Sequence, residues 1–332
     1  MNQYKRDPDL PPKRLSAGFL LAAVALLIFL VVLAILLNLR IVPIDRETPS
    51  PTARITHTAT PYSTPLPPTV TATASPAPTA TPEPTATIES TPTPQFGQSF
   101  VIGHSVNGLP LEVYQFGTGP IERMIVAGIH GGYEWNTVAL ADELIAYLKE
   151  NPQLVPAEVT LYILRNLNPD GYAKARDATG RANANGVDLN RNFDAEWVID
   201  WNRDVCFNQV YVTAGPEPGS EPETQAFMDF FLSHNIDALI NYHSAGLGIF
   251  PGGIQPGPKS QMLAFYLSGL SPYPYPAKDI GCVYSGMLVN WVVLQNVPAV
   301  DIELSTHGDT DFEINKGILE FFLQPDLKLE GY

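Results

Sequence analysis

Cysteine is scarce in this chain of 332 residues: Cys206 and Cys282 are the only two. Two thiols cannot build a cysteine-rich zinc cluster or a multi-bridge disulfide framework. They could pair in an oxidising compartment or persist as thiols in a reducing one, and their spacing does not choose between these outcomes. Positive charge is also sparse, with 19 Lys and Arg against 34 Asp and Glu and a net charge of −15. Phosphate backbones are bound by clustered cations, so no nucleic-acid partner is expected. The acidity itself serves solubility.

Charge of either sign is missing altogether from Leu15 to Leu39, a run built mostly of Leu, Ala, Val and Ile. At ~1.5 Å per residue such a run spans the ~30 Å hydrocarbon core of a bilayer. Lys5, Arg6, Lys13 and Arg14 precede it, and Arg40 and Arg46 follow. The positive-inside bias then predicts a cytoplasmic tail over 1–14, a transmembrane helix over 15–39, and an extracytoplasmic remainder, as in a single-pass membrane protein. A cleaved signal peptide is the alternative, although its apolar core usually runs only about 7–15 residues. Core-forming residues are thin from Thr48 to Gln95, where 12 of 48 residues are Pro and 15 are Thr. Such a stretch buries too little apolar area to offset its ordering entropy, so 40–95 is expected to be a disordered, extended spacer.

From about Phe96 the pattern changes. Short apolar runs over Met124–Ile129, Val159–Leu164, Ile236–Tyr242 and Ala299–Leu304 read as buried strands. Between and after them, Glu134–Lys149, Glu221–His234, Met287–Leu294 and Asp311–Leu323 read as helices. The alternation predicts one α/β domain over 96–332, with a mixed, mostly parallel central sheet and helices on both faces. Ligands in such sheets sit at the carboxyl ends of the strands.

The residues with chemistry fall near those ends. His130 is followed by Gly131, Gly132, Tyr133 and Glu134, and His243 closes Asn241-Tyr242-His243. Two histidines and a glutamate form a common catalytic zinc set, with a fourth position left for water. Three further motifs follow the same order along the chain: Asn168-Pro169-Asp170-Gly171-Tyr172, then Gly186-Val187-Asp188-Leu189-Asn190-Arg191-Asn192-Phe193, then Ser220-Glu221-Pro222-Glu223-Thr224.

Together with the two histidine motifs they resemble the zinc metallocarboxypeptidases over roughly Phe96 to the C-terminus. The resemblance implies one zinc ion held by His130, Glu134 and His243, with Asp188 supporting the first histidine. It implies that Asn190 and Arg191 hold the substrate's terminal carboxylate, and that Arg181, with Arg176 as the alternative, polarises the scissile carbonyl. It implies Glu303, in Asp301-Ile302-Glu303-Leu304, as general base, and Tyr284 is the candidate for the tyrosine that covers the substrate. Asp301 shares the face of Glu303 by strand alternation. His307 could be a fourth ligand, a substrate contact or a surface residue. The chain departs from the family pattern in spacing, with His-x-x-x-Glu where His-x-x-Glu is usual. Gly131 and Gly132 could absorb the extra residue.

The expected activity is hydrolysis of a peptide bond near a free carboxylate, in peptides or cell-wall peptides. A related zinc deacylase of N-acyl amino acids and a metal-free binding module are the competing readings. Substrate choice and zinc content separate the three.

Overall fold

The computed structural model describes residues 96–327 and 329, apart from Leu247 and Ile254. The expected tail, apolar span and Pro/Thr-rich spacer lie outside the described residues. Among the described residues no helix is long and apolar enough to cross a membrane.

Seven strands form one sheet: β1 (Gln98–His104), β2 (Pro110–Phe116), β3 (Ile121–Val126), β4 (Val159–Leu164), β5 (Ile236–Ser244), β6 (Ile249–Pro251) and β7 (Ala299–Leu304). Their order is β1-β2-β4-β3-β5-β7-β6. The four central strands, β4, β3, β5 and β7, run parallel, whereas β1, β2 and β6 are antiparallel additions at the edges. A parallel sheet is covered on both faces, which is why β4 is buried at every position. One face packs against α1 (Trp135–Glu150), α5 (Pro258–Gly269) and α7 (Phe312–Phe322). The other packs against α4 (Pro222–Leu232) and α6 (Leu288–Leu294). Two short helices, α2 (Pro169–Lys174) and α3 (Arg203–Cys206), lie in the loops above the strand ends.

The expected mixed α/β sheet with helices on both faces is therefore observed. Strands β4 and β7 have the expected bounds, and the four long helices foreseen begin and end within two residues of them. The first expected strand is corrected. It runs Ile121–Val126 rather than Met124–Ile129, because Gly128 turns the chain at φ 68°. His130 consequently stands beyond the strand end in a tight turn.

Residues from Phe96 onward supply the whole core described here, and Phe96 itself packs edge-on against Phe116 at 5.2 Å. A chain beginning at residue 96 should therefore fold and melt cooperatively by circular dichroism, with the zinc content of the full protein. Loss of its melting transition would place the domain boundary earlier.

Candidate metal centre and active site

The parallel register of β5 and β7 sets Asn241 beside Asp301 and His243 beside Glu303. Alternation puts all four side chains on one face, just below the carboxyl ends of the strands. The third ligand candidate arrives from the β3–α1 turn. Gly131 has φ 48°, and a Cβ on Gly132 would collide with the Ala175 carbonyl, so only glycine fits this path. The turn closes with Tyr133 N–H donating to His130 O at 3.1 Å. It brings Glu134 back beside His130 despite the extra residue.

The ligand atoms converge. His130 Nδ1 lies 2.8 Å from Glu134 Oε1, His243 Nδ1 3.1 Å from Glu134 Oε2, and the two Nδ1 atoms 3.2 Å apart. All three residues are buried. No other group of three or more His, Cys, Asp or Glu among the described residues could hold a metal ion. Two imidazoles and a carboxylate with their lone pairs directed at one point suit zinc, and the donor set fits the expected ion. Burial alone would raise the Glu134 pKa, but the two histidines beside it hold it well below the usual carboxylate range.

Arg181 and Asp188 form a buried pair next to these atoms, with Arg181 Nε donating to Asp188 Oδ2 at 2.8 Å. Burial opposes ionisation of Asp188, yet Arg181 and then His130 keep it well below its ordinary pKa. Asp188 Oδ1 stands 3.3 Å from His130 Nε2. Arg181 Nη1 reaches 3.2 Å from His130 Nδ1 and 3.7 Å from Glu134 Oε1. The alternative, Arg176, is exposed and stacks on Trp135 at 4.4 Å, away from the ligand atoms.

The sequence motifs hold this arrangement. Asn168 caps α2 by accepting from Gly171 N–H at 2.9 Å, and its Nδ2 donates to Arg181 O at 2.9 Å. Glu221 accepts from Asn183 and Asn185 at 2.7 and 2.8 Å, and Glu223 accepts from Asn183 at 3.1 Å. The acidic motif at the start of α4 thus anchors the loop that carries Arg181.

Arg191 is buried with its guanidinium 4.6 Å above the Trp201 ring, and its Nε has no hydrogen-bond partner. Gly286, at φ 62°, lies so close to the Arg191 carbonyl that any side chain would strike it. This contact, with Leu288 N–H donating to Asn190 Oδ1 at 2.9 Å, docks the Tyr284 loop on the Asn190-Arg191 segment. A disulfide between Cys206 and Cys282, Cα atoms 4.9 Å apart, ties that loop to α3. It resolves the alternative left open by the sequence.

The expected site residues line one cavity of about 300 Å³, apart from Asp188, which lies behind His130. Glu303 is part-exposed, but its Oε2 is shielded from solvent and has no hydrogen-bond partner. Burial, with the Glu134 charge, pushes the Glu303 pKa up to about 8. His307 also borders the cavity, where its Nδ1 lies 2.9 Å from Ser244 Oγ, and it is outside the ligand group. Two neighbours of His243 were given no role by the sequence: Asn241, whose Nδ2 is 2.7 Å from His243 Nε2, and Asp301, whose Oδ1 is 3.3 Å from it. The signal that finds them is the strand register.

Residues 89–267 match the family described as zinc carboxypeptidase. The chain belongs to that family. Murein peptide amidase A of Escherichia coli (strain K12) is 35% identical over 150 residues, which is 42% of this chain and 57% of that protein. Carboxypeptidase A1 of Rattus norvegicus is 29% identical over 238 residues, 61% of this chain and 56% of that protein. The chain thus spans little more than half the length of these two relatives. Among solved structures, murein-tripeptide amidase MpaA from Escherichia coli O157 superposes with a TM-score of 0.52 at 25% identity, covering 67% of this chain and 88% of that chain. The family is one of zinc hydrolases, and the His130, Glu134 and His243 group is consistent with one zinc site.

Proposed function

We propose that the chain hydrolyses a peptide or amide bond adjacent to a free carboxylate, with cell-wall peptides as the substrate class. The observation that carries this reading is the meeting, in one cavity, of a His-Glu-His ligand set, an acid with a raised pKa and two guanidiniums. The likeness to murein peptide amidase A favours cell-wall peptides over general peptides. An extracytoplasmic domain behind an anchor over 15–39 is part of this proposal, resting on the sequence alone, and the Cys206–Cys282 disulfide suits an oxidising compartment.

Zinc, when bound by His130, Glu134 and His243, supplies Lewis-acid polarisation and lowers the pKa of water towards ~7. The protein's own groups do the rest. Arg191 and Asn190 hold the terminal carboxylate, a task suited to the planar guanidinium fork. Arg181, kept in place by Asp188, offers its Nη edge to the carbonyl oxygen as negative charge develops there. Glu303 accepts the proton of the attacking water and returns it to the nitrogen of the leaving amine, so the amine departs neutral as the carbon–nitrogen bond breaks. Tyr284 closes over the substrate.

Peptides with a free terminal carboxylate and the same peptides as amides test this reading. A hydrogen bond to a charged group is worth about 1.5–3 kcal/mol, so the amide should be cut roughly 10–150-fold more slowly. Arg191→Ala should weaken cleavage of the acid by a similar factor and leave zinc content unchanged. Equal cleavage of acid and amide by the wild type would overturn the carboxylate requirement.

A further inference from the structure

The amino edge of the sheet, at the opposite end of the strands from the zinc ligands, carries a buried charge that the reaction above does not use. Arg123 is the third residue of β3, two before Ile125 and so on the same face, the one covered by α5 and α7. It is only 4% exposed. A guanidinium offers five N–H donors. The Nη1 atom of Arg123 stands 3.5 Å from Asp237 Oδ2, beyond a normal N–H···O distance, and its Nε is shielded from solvent with no hydrogen-bond partner. Asp237 Oδ2 is engaged elsewhere, since it accepts from Glu122 N–H at 2.9 Å. Burial pulls the Arg123 pKa below its ordinary value, and Asp237 restores only part of the difference. A buried cation so poorly matched gains from an added anion.

The surroundings supply room and a second cation. Arg123 and Asp237 border a cavity of about 350 Å³ with Lys259, Asn296, Leu327 and Leu329. Lys259 is exposed and sits in the first turn of α5, a helix of 12 residues whose amino end has no side-chain cap. The free N–H groups and dipole of such an end favour negative charge. Ser260 Oγ accepts from Ala299 N–H at 3.1 Å, which fixes that turn against β7. In a chain of net charge −15, two cations and one half-exposed acid around this cavity make a local excess of positive charge.

We propose that this cavity is an oxyanion site, in which a phosphate or carboxylate group takes the Nη edge of Arg123 and the Lys259 ammonium, and so ties β3 to the start of α5. The planar guanidinium fork suits either group. The site lies apart from the ligand atoms and makes no use of the peptidase reading, so the two stand or fall separately.

Inorganic phosphate and acetate, each titrated into the zinc-loaded protein against sodium chloride of equal ionic strength, test it without recourse to activity. The shielded Nε–H of Arg123 is the reporter in nitrogen NMR. A saturable shift of that signal, with a matching rise in melting temperature, is expected for at least one of the two anions. The anion that binds more tightly shows whether phosphate or carboxylate is the group the site takes. Lys259→Glu is an exposed change that leaves the core alone. It should weaken binding at least roughly tenfold, the size of one charge-assisted hydrogen bond. Arg123→Met should lose the response of this site altogether, and if that variant does not fold, Lys259→Glu decides alone. An anion held by Arg181 or Arg191 in the catalytic cavity would stabilise both variants as much as the wild type. That result, or an Arg123 signal that neither anion moves, would overturn the proposal.

Discussion

Glu303→Gln should lose at least ~100-fold in kcat while retaining zinc, since a general base contributes about 10²–10⁴-fold. Glutamine keeps the shape of the side chain but cannot accept the proton. In the metal-free protein, burial and the Glu134 charge lift this carboxyl to about 8. A dication at the ligand position favours the ionised form and pulls it down again. A base works only when deprotonated, so kcat/KM of the wild type should fall as pH drops through the Glu303 pKa, at a point below pH 8, and Glu303→Gln should lack that limb. The metal-free proteins give an independent sign. A carboxyl raised from 4.5 to about 8 in the folded state makes the fold progressively less stable as pH rises through that window. Metal-free Glu303→Gln should thus melt above the wild type at pH 8. Turnover close to wild type would remove Glu303 as the base.

Replacement of His243 should be the most severe change of all. His243→Ala removes one of only three protein ligands, leaving a single imidazole and a carboxylate. Stoichiometric zinc should be lost on gel filtration, and hydrolysis should fall to background. Binding to the folded state alone stabilises by mass action, about 2.7 kcal/mol at 100 times Kd. Added zinc should therefore raise the melting temperature of the wild type and leave that of His243→Ala unmoved. Plasma emission spectrometry and a thermal melt with and without zinc check both parts. Full zinc content in the variant would mean that the ion sits elsewhere.

The parts of this domain that were legible in the sequence share a physical basis. Strand β4 is buried at every position and reads as a nearly unbroken apolar run, and β5 and β7 are buried along most of their length. The motifs around Asn168, Asp188 and Glu221 are contiguous because each shapes one loop, and the structure brings the expected ligands together. What escaped notice depends on partners far away in the chain. Strands β1 and β2 acquire their meaning from pairing, β2 with β4 and the edge strand β1 with β2. Helix α5 lacks a clear apolar stripe and was not foreseen, although Leu263, Ala264 and Leu267 are buried. Asp301 could be placed beside Glu303 by alternation, but its contact with His243 is set by the offset between two strands 60 residues apart in the chain at Asn241 and Asp301. No local window contains that offset.

The same register divides the chain into parts with different freedoms. Slipping β7 by one residue would turn Asp301 and Glu303 to the opposite face together, so this strand tolerates neither insertion nor deletion. The rim of the cavity is another matter. Val205 in α3, with Gln209 and Ile280 in the loops, belongs to segments joined to one another by the Cys206–Cys282 bridge rather than to the sheet. Their composition can drift, or be rewritten by design, without disturbing the ligand atoms beneath. Descendants of this domain would then inherit one chemistry and diverge in diet.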